Sequence, residues 1–207
     1  MRTKKISRKN ILNSYQNLIE KAKLDLDFIL LTSLATAICF FGFRTNSASV
    51  IIGAMVISPL LYSIVSIGIA SFMKKSKDTF QGISTSTIGI IVAIIVSTFL
   101  GLFFPVNINS EMISRLSSAH TDYFFIAFFS GLAGTFAFFW PDIIEAIAGI
   151  AISIALIPPV VLIGIGLATL DLQIATQSIT IVAINIIGIY LGSLAMSTFL
   201  HFYSTNS

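Results

Sequence analysis

Six apolar stretches, each long enough to cross a bilayer, confine what this chain can become. A spanning helix needs about 20 mainly apolar residues, and in hydrocarbon the backbone must satisfy its polar groups within the segment itself. The stretches are Leu26–Phe43, Ser47–Met73, Phe80–Phe104, Tyr123–Trp140, Ile143–Leu170 and Leu172–Phe202. Composition agrees: 56% of residues are hydrophobic, 10% are charged and mean hydropathy is +0.95, whereas about a quarter of a soluble domain is charged. A length of 207 residues suits one membrane domain and leaves no room for a second globular one. The predicted fold class is an all-α polytopic membrane protein.

The connections and charges give these helices an order and a direction. Arg44-Thr-Asn-Ser, Pro141-Asp142 and Asp171 are tight turns, so the helices they join must be antiparallel neighbours. Seven Lys and Arg precede the first span, and Lys74, Lys75 and Lys77 follow the second. With the N-terminus in the cytoplasm these ten all fall inside, leaving Arg44 and Arg115 outside, as the positive-inside bias requires. The expected localisation is the cytoplasmic (inner) membrane, with both termini cytoplasmic. The basic N-terminus lacks the apolar core and cleavage site of a signal peptide. Within residues 1–25, the stretch Asn10 to Lys23 puts Ile11, Leu12, Tyr15, Leu18, Ile19 and Ala22 on one helical face, with lysines and Arg8 around it. That pattern fits an interfacial helix lying on anionic lipid; docking on a partner is the other reading.

The second and fifth spans carry proline in mid-segment, one hundred residues apart. They read Ile51-Ile-Gly-Ala-Met-Val-Ile-Ser-Pro59-Leu-Leu-Tyr and Ala151-Ile-Ser-Ile-Ala-Leu-Ile-Pro-Pro159-Val-Val-Leu. Sliding the chain by that interval aligns residues 26–104 with 123–203, on either side of the polar extracytoplasmic loop 105–122. Pro59 then meets Pro159, Ile57 meets Ile157, and Ser97-Thr-Phe-Leu100 recurs as Ser197-Thr-Phe-Leu200. Three spans per unit is an odd number, so the two units would run in opposite directions, as in transporters with inverted repeats. The expected architecture is therefore two inverted three-helix repeats with proline-broken second and fifth helices.

A proline removes a backbone donor and clashes with the carbonyl four residues back. Pro59 should free the carbonyl of Met55, and Pro158 and Pro159 those of Ile154 and Ala155. Such oxygens can bind a cation, a water or a hydroxyl, while the amides of the next half-helix favour an anion. Ser58 either caps that half-helix or contacts a ligand. Asn185, deep in the sixth span, and Thr85, its repeat counterpart, either bond neighbouring helices or line a polar path. Glu145 is the best-placed acid, one turn into the fifth span. Asn46 is expected to cap the second span. Gly89, Ala93, Ser97 and Gly101 form one small-residue stripe, and Gly188 and Gly192 another, both suited to close helix packing. Cys39, the single cysteine, lies in an apolar run and reads as a packing residue.

No His-Glu-x-x-His, Gly-x-Ser-x-Gly or P-loop occurs, so neither an enzyme nor a cofactor or metal is expected. His120 and His201 lie at segment ends, and the loop residues Glu111, Arg115 and His120 fit a short solvated helix. The expected partners are the lipid bilayer and a small ion or solute, with no nucleic acid. Six spans make a slim wall around a pathway, which favours a homo-oligomer.

The run Asn46-Ser47 followed by Gly53-Ala-Met-Val-Ile-Ser-Pro59 resembles the opening signature of the DUF389 family of bacterial and archaeal membrane proteins. Gly149-Ile-Ala-Ile-Ser-Ile-Ala-Leu-Ile-Pro-Pro159, then Gly164 and Asn185, is similar to its second signature. The resemblance covers roughly residues 28 to 200. It implies a multi-pass membrane domain without an assigned activity, often joined in relatives to a soluble domain that this chain does not resemble. Relatives often have Gly and a second Pro where this chain has Tyr62 and Ser63, which implies a milder first break. The expected function is transport or ion conduction through a midplane site at the two breaks; the alternative is a scaffold or regulatory protein acting through its basic N-terminal helix.

Overall fold

The computed structural model describes residues 8–106, 120–139 and 144–205, with side chains over 13–106, 120–139 and 156–201. Every element among the described residues is a helix. In chain order they are α1 (Arg8–Lys21), α2 (Leu26–Arg44), α3 (Ala48–Ile57), α4 (Leu60–Phe72), α5 (Ser76–Phe103), α6 (His120–Phe139), α7 (Ile144–Ala168) and α8 (Leu172–Thr205). By length and apolarity α2, α5, α6 and α8 can each cross a membrane, and α3 with α4 makes a fifth candidate if that bent pair counts as one span.

The side-chain distribution is that of a bundle in lipid. The face of α5 turned inward carries Gly82, Thr85, Ser86, Gly89, Ala93 and Ser97, while Phe80, Ile83, Ile91, Ile95, Phe99 and Leu102 point outward. Lipid offers apolar side chains no penalty for exposure, so close packing selects small residues for helix interfaces. The small-residue stripes do so here. A methyl group on Gly89 would meet Leu60 and Phe28 at 2.6 and 2.9 Å, and one on Gly101 would meet Ala168 at 2.5 Å. Gly188 and Gly192 lie against the α6 backbone at Phe124 and Phe128. Cys39 is fully buried in the same core as Phe40 and Ile165.

These contacts also fix direction. As α5 climbs from Gly89 to Gly101, its α2 neighbour climbs from Phe28 to Phe40, so the two run parallel. The pair α5 and α7 is parallel too, with Gly164 against Ser97 and Gly101 against Ala168. So is the pair α6 and α8, with Gly188 against Ala127 and Gly192 against Phe128 and Leu132. The helix α4 runs antiparallel to α5, since Gly82 faces Ser66 and Gly89 faces Leu60.

Three sharp turns end in the same backbone motif. After α2, Asn46 has φ 51°, Ser47 N–H bonds Gly42 O at 2.9 Å and Asn46 N–H bonds Phe43 O at 3.1 Å. After α4, Lys74 (φ 56°) is followed by Lys75 N–H on Ala70 O; after α7, Leu170 (φ 57°) is followed by Asp171 N–H on Gly166 O. Each is a Schellman cap with a non-glycine in the left-handed position. Asn46 therefore closes α2 instead of capping the next helix, because its amide side chain tolerates the left-handed conformation. Acidic residues begin α2 and α8: Asp25 accepts from Phe28 N–H at 2.7 Å, and Asp171 accepts from Gln173 and Ile174 N–H at 3.0 and 3.1 Å.

The N-terminal helix forms as expected, but the described part of its apolar face, from Tyr15 on, turns into the bundle. Tyr15, Leu18 and Ala22 are at most 3% exposed, and Tyr15 and Leu18 share a core with Leu61, Ile64, Val65, Ile69 and Phe138. Tyr15 donates to Asp78 at 2.5 Å under the Lys75 ammonium, which sits 4.1 Å above its ring. Lys21 lies 5.1 Å over the Tyr62 ring, and Gln81 Nε2 donates to the Ile19 carbonyl at 3.4 Å. Burial first, and the Asp78 carboxylate second, push the Tyr15 hydroxyl well above the usual tyrosine range.

Candidate functional site

Of the two expected breaks, one interrupts its helix. The helix α3 stops at Ile57, Ser58 is extended (φ −67°, ψ 127°), and α4 restarts after Pro59 at an angle of 54°. Residues ahead of a proline are pushed out of the helical region, and the missing donor cannot pair with Met55. Ser58 is 5% exposed, and its Oγ accepts from Leu60 N–H at 3.4 Å, a local cap on the new half-helix.

The expected break at the fifth segment is corrected. The helix α7 runs without interruption from Ile144 to Ala168 with Pro158 and Pro159 inside it. A proline pair deletes two hydrogen bonds, yet Leu156, Ile157, Val160 and Val161 around it are at most 1% exposed, in a helix packed against α3, α5 and α8. Neighbours on several sides hold the turn where two missing bonds would otherwise open it. The milder break implied by Tyr62 and Ser63 is thus the one that breaks. The side chains of Glu145, Ile154 and Ala155 lie outside what the structure describes, and Glu111, Arg115 and Asp142 lie outside the described residues altogether.

The two proline segments do meet. Ala54 and Leu60, on either side of the first break, join Ile157 and Val161 of α7 in one apolar core with Phe28 and Phe40. Met55 is 5% exposed beside Ala54. A cluster of buried hydroxyls lies between α4 and α5. Ser63 Oγ donates to Leu60 O at 2.9 Å, and Ser66 Oγ donates to Ser63 O at 2.6 Å. Ser86 Oγ reaches across from α5 to Ser63 Oγ at 2.9 Å and to Gly82 O at 2.8 Å. All three serines are at most 5% exposed. They form a hydroxyl seam that starts one turn beyond Pro59.

Thr85 and Asn185 are both 1% exposed. Thr85 flanks the seam on α5, and Asn185 belongs to α8 beside Val182 and Ile186, which pack against Ala93 and Val160. Sequence reasoning noted the run Ser84 to Thr87 but passed over Ser63 and Ser66. Their spacing of four and seven residues from Pro59 is a helical period and could have flagged them. Ser193 extends the polar lining: Gly68 of α4 lies directly against its Cβ. The Ser193 hydroxyl is fully buried without a hydrogen-bond partner. Among the described residues no three His, Cys, Asp or Glu come together as a metal site would need.

The break and the segments around it coincide with a family signature. A family model described as a domain of unknown function, DUF389, matches residues 55–191, from the last turn of α3 into α8. The chain belongs to the DUF389 family. An uncharacterized protein of Methanocaldococcus jannaschii is 23% identical to this DUF389 chain over 175 residues, which cover 84% of the chain and 54% of that relative. The chain therefore spans about half the length of the curated relative it matches. No solved structure matches it.

Proposed function

We propose that this protein is a small transporter or ion-conducting protein of the cytoplasmic membrane, whose site is the broken span α3–α4. The observation that carries this reading is the break itself, followed one turn later by buried serines of α4 and α5 that share one hydrogen-bonded seam. Irregular backbone at membrane depth is tolerated where protein or a polar cavity covers it, and broken helices mark binding sites in transporters. Ser58, Ser63 and Ser86, the Met55 carbonyl and the first amides of α4 offer oxygen ligands and donors within one stretch, and Thr85 flanks them. Among the described residues no carboxylate joins them, so the set suits a weakly solvated ion or a neutral polar solute better than a divalent cation. Asn185, Pro158, Pro159, Ile154, Ala155 and Glu145 belong to the facing segment pair, and their part in a pathway follows only if the halves are equivalent.

That equivalence is the second element of the proposal: six spans in two inverted units, α2 to α5 and α6 to α8. The 25-residue α7, fifth in chain order, would bring the crossings to six. Several features support it. The pairing of α4 with α8 is mirrored by that of α7 with α5, and α3 packs on α7. The parallel pair α2 and α5 has its counterpart in α6 and α8. The second and third spans of each unit are joined by the same Schellman turn, at Lys74 and at Leu170.

The competing reading is a scaffold or regulatory protein acting through its basic N-terminal helix; the burial of Tyr15, Leu18 and Ala22 against the bundle favours transport over it, since those side chains are taken up within the chain. Purified protein in liposomes should move a small ion or solute. Ser63→Ala with Ser86→Ala should lower the flux about ten-fold or more while the protein stays monodisperse. A broad ion and solute panel that yields no flux and no thermal stabilisation by any ligand would defeat the transport reading.

A further inference from the structure

We propose that the turn between α4 and α5 holds one anionic phospholipid, its headgroup on Lys74 and an acyl chain along Phe80 and Ile83. A cavity of about 420 Å³ lies there, lined by Ser71, Lys74, Ser76, Thr79, Phe80 and Ile83. Its two ends differ in chemistry. At the turn are an ammonium and three hydroxyl-bearing side chains, groups that bind phosphate-ester oxygens. Along the helix are Phe80, 74% exposed, and Ile83, 47% exposed.

Those two residues also begin the outward stripe that continues through Ile91, Ile95, Phe99 and Leu102. A chain laid along the stripe therefore ends with its headgroup in the cavity. Among the described residues no acid lines the cavity; Lys77 and Asp78 share the first turn of α5, and the Asp78 carboxylate is taken up by the Tyr15 hydroxyl. Lys75 is engaged elsewhere, over the Tyr15 ring. Charge complementarity selects an anionic over a zwitterionic headgroup, and the apolar stripe selects a lipid over soluble phosphate. The inference rests on the chain being a membrane protein and is independent of what the helix break carries.

The test uses the full chain in neutral detergent, with binding read by native mass spectrometry and by thermal unfolding. Phosphatidylglycerol should bind and raise Tm, while phosphatidylcholine and glycerol phosphate should do so far less. A lysine near an anionic surface contributes roughly five-fold in affinity. Lys74→Asn, which keeps a residue at ease at positive φ, should therefore weaken phosphatidylglycerol binding by about that factor, and Lys74→Arg should preserve it. Phe80→Ala should weaken binding and leave the preference for the anionic headgroup intact. Added salt should weaken binding to the wild-type protein, since an exposed charge contact is screened. Equal binding of the two lipids overturns the proposal, as does salt-insensitive binding or full affinity in Lys74→Asn. Glycerol phosphate binding as well as the lipid would overturn it in favour of a soluble phosphate ligand.

Discussion

At the scale of single residues, the glycines divide into those that hold helices together and those that do not. A methyl group at Gly131 would fall inside contact distance of the Ile189 backbone, and one at Gly192 would do the same at Phe128. Gly53, in α3, has nothing within 4 Å of such a methyl. Gly131→Ala should thus cost about 1–3 kcal/mol by overpacking, and Gly53→Ala should be neutral or add up to about 1 kcal/mol through helix propensity. Thermal unfolding in detergent separates the two; equal shifts would contradict the packing. Leu170 occupies a left-handed position where a side chain costs about 1–2 kcal/mol. Leu170→Gly should raise Tm and Leu170→Val should lower it. Both small-residue stripes were legible in the sequence because spacing alone puts them on one face. The role of Asn46 was misjudged, because an amide that can cap the next helix can equally close the previous one.

Among the elements, α1 shows what a hydrophobic pattern leaves open. The same face of Tyr15, Leu18 and Ala22 would suit lipid or protein, and only the tertiary fold placed it on α4 and α6. Its docking carries a pH signature. The Tyr15 hydroxyl is raised above its unfolded value of about 10, so the neutral phenol's contribution is complete below pH 10 and is lost as pH rises through the folded value. In Tyr15→Phe the phenol component should vanish, leaving a shallower alkaline loss of α1 docking, read by hydrogen exchange of residues 13–22. An unchanged alkaline profile would show that the Tyr15–Asp78 contact does not hold the helix. The proline segments teach the complementary lesson. Sequence located both, but whether a proline opens a helix depends on what surrounds it. Pro59 has Ser58 to cap a restart, whereas Pro158 and Pro159 sit where fully buried aliphatic residues clamp the turn.

For the whole molecule, the boundaries of the apolar stretches agree with the helices to within a few residues, since each is set by charged or turn-forming residues such as Asp25, Lys74 and Asp171. The relative arrangement of helices was not legible, because it depends on which small-residue faces meet. If the proposed six-span topology holds, reporters fused after His201 and in the Lys74–Lys77 turn should both be active only in the cytoplasm, and one placed at Asn46 only outside. A C-terminal reporter active outside would refute the six-span, N-inside arrangement. The contact between Gly68 and Ser193 also sets a schedule for synthesis. Everything α2 and α5 offer α4 is available early, but its last wall arrives with α8. At about 5–20 residues per second of translation, Ser193 follows Gly68 by 125 residues (193 − 68) and thus by roughly 6–25 s. During that interval the Gly68 face of α4 stays beside lipid or the insertion machinery, and α8 closes it on arrival.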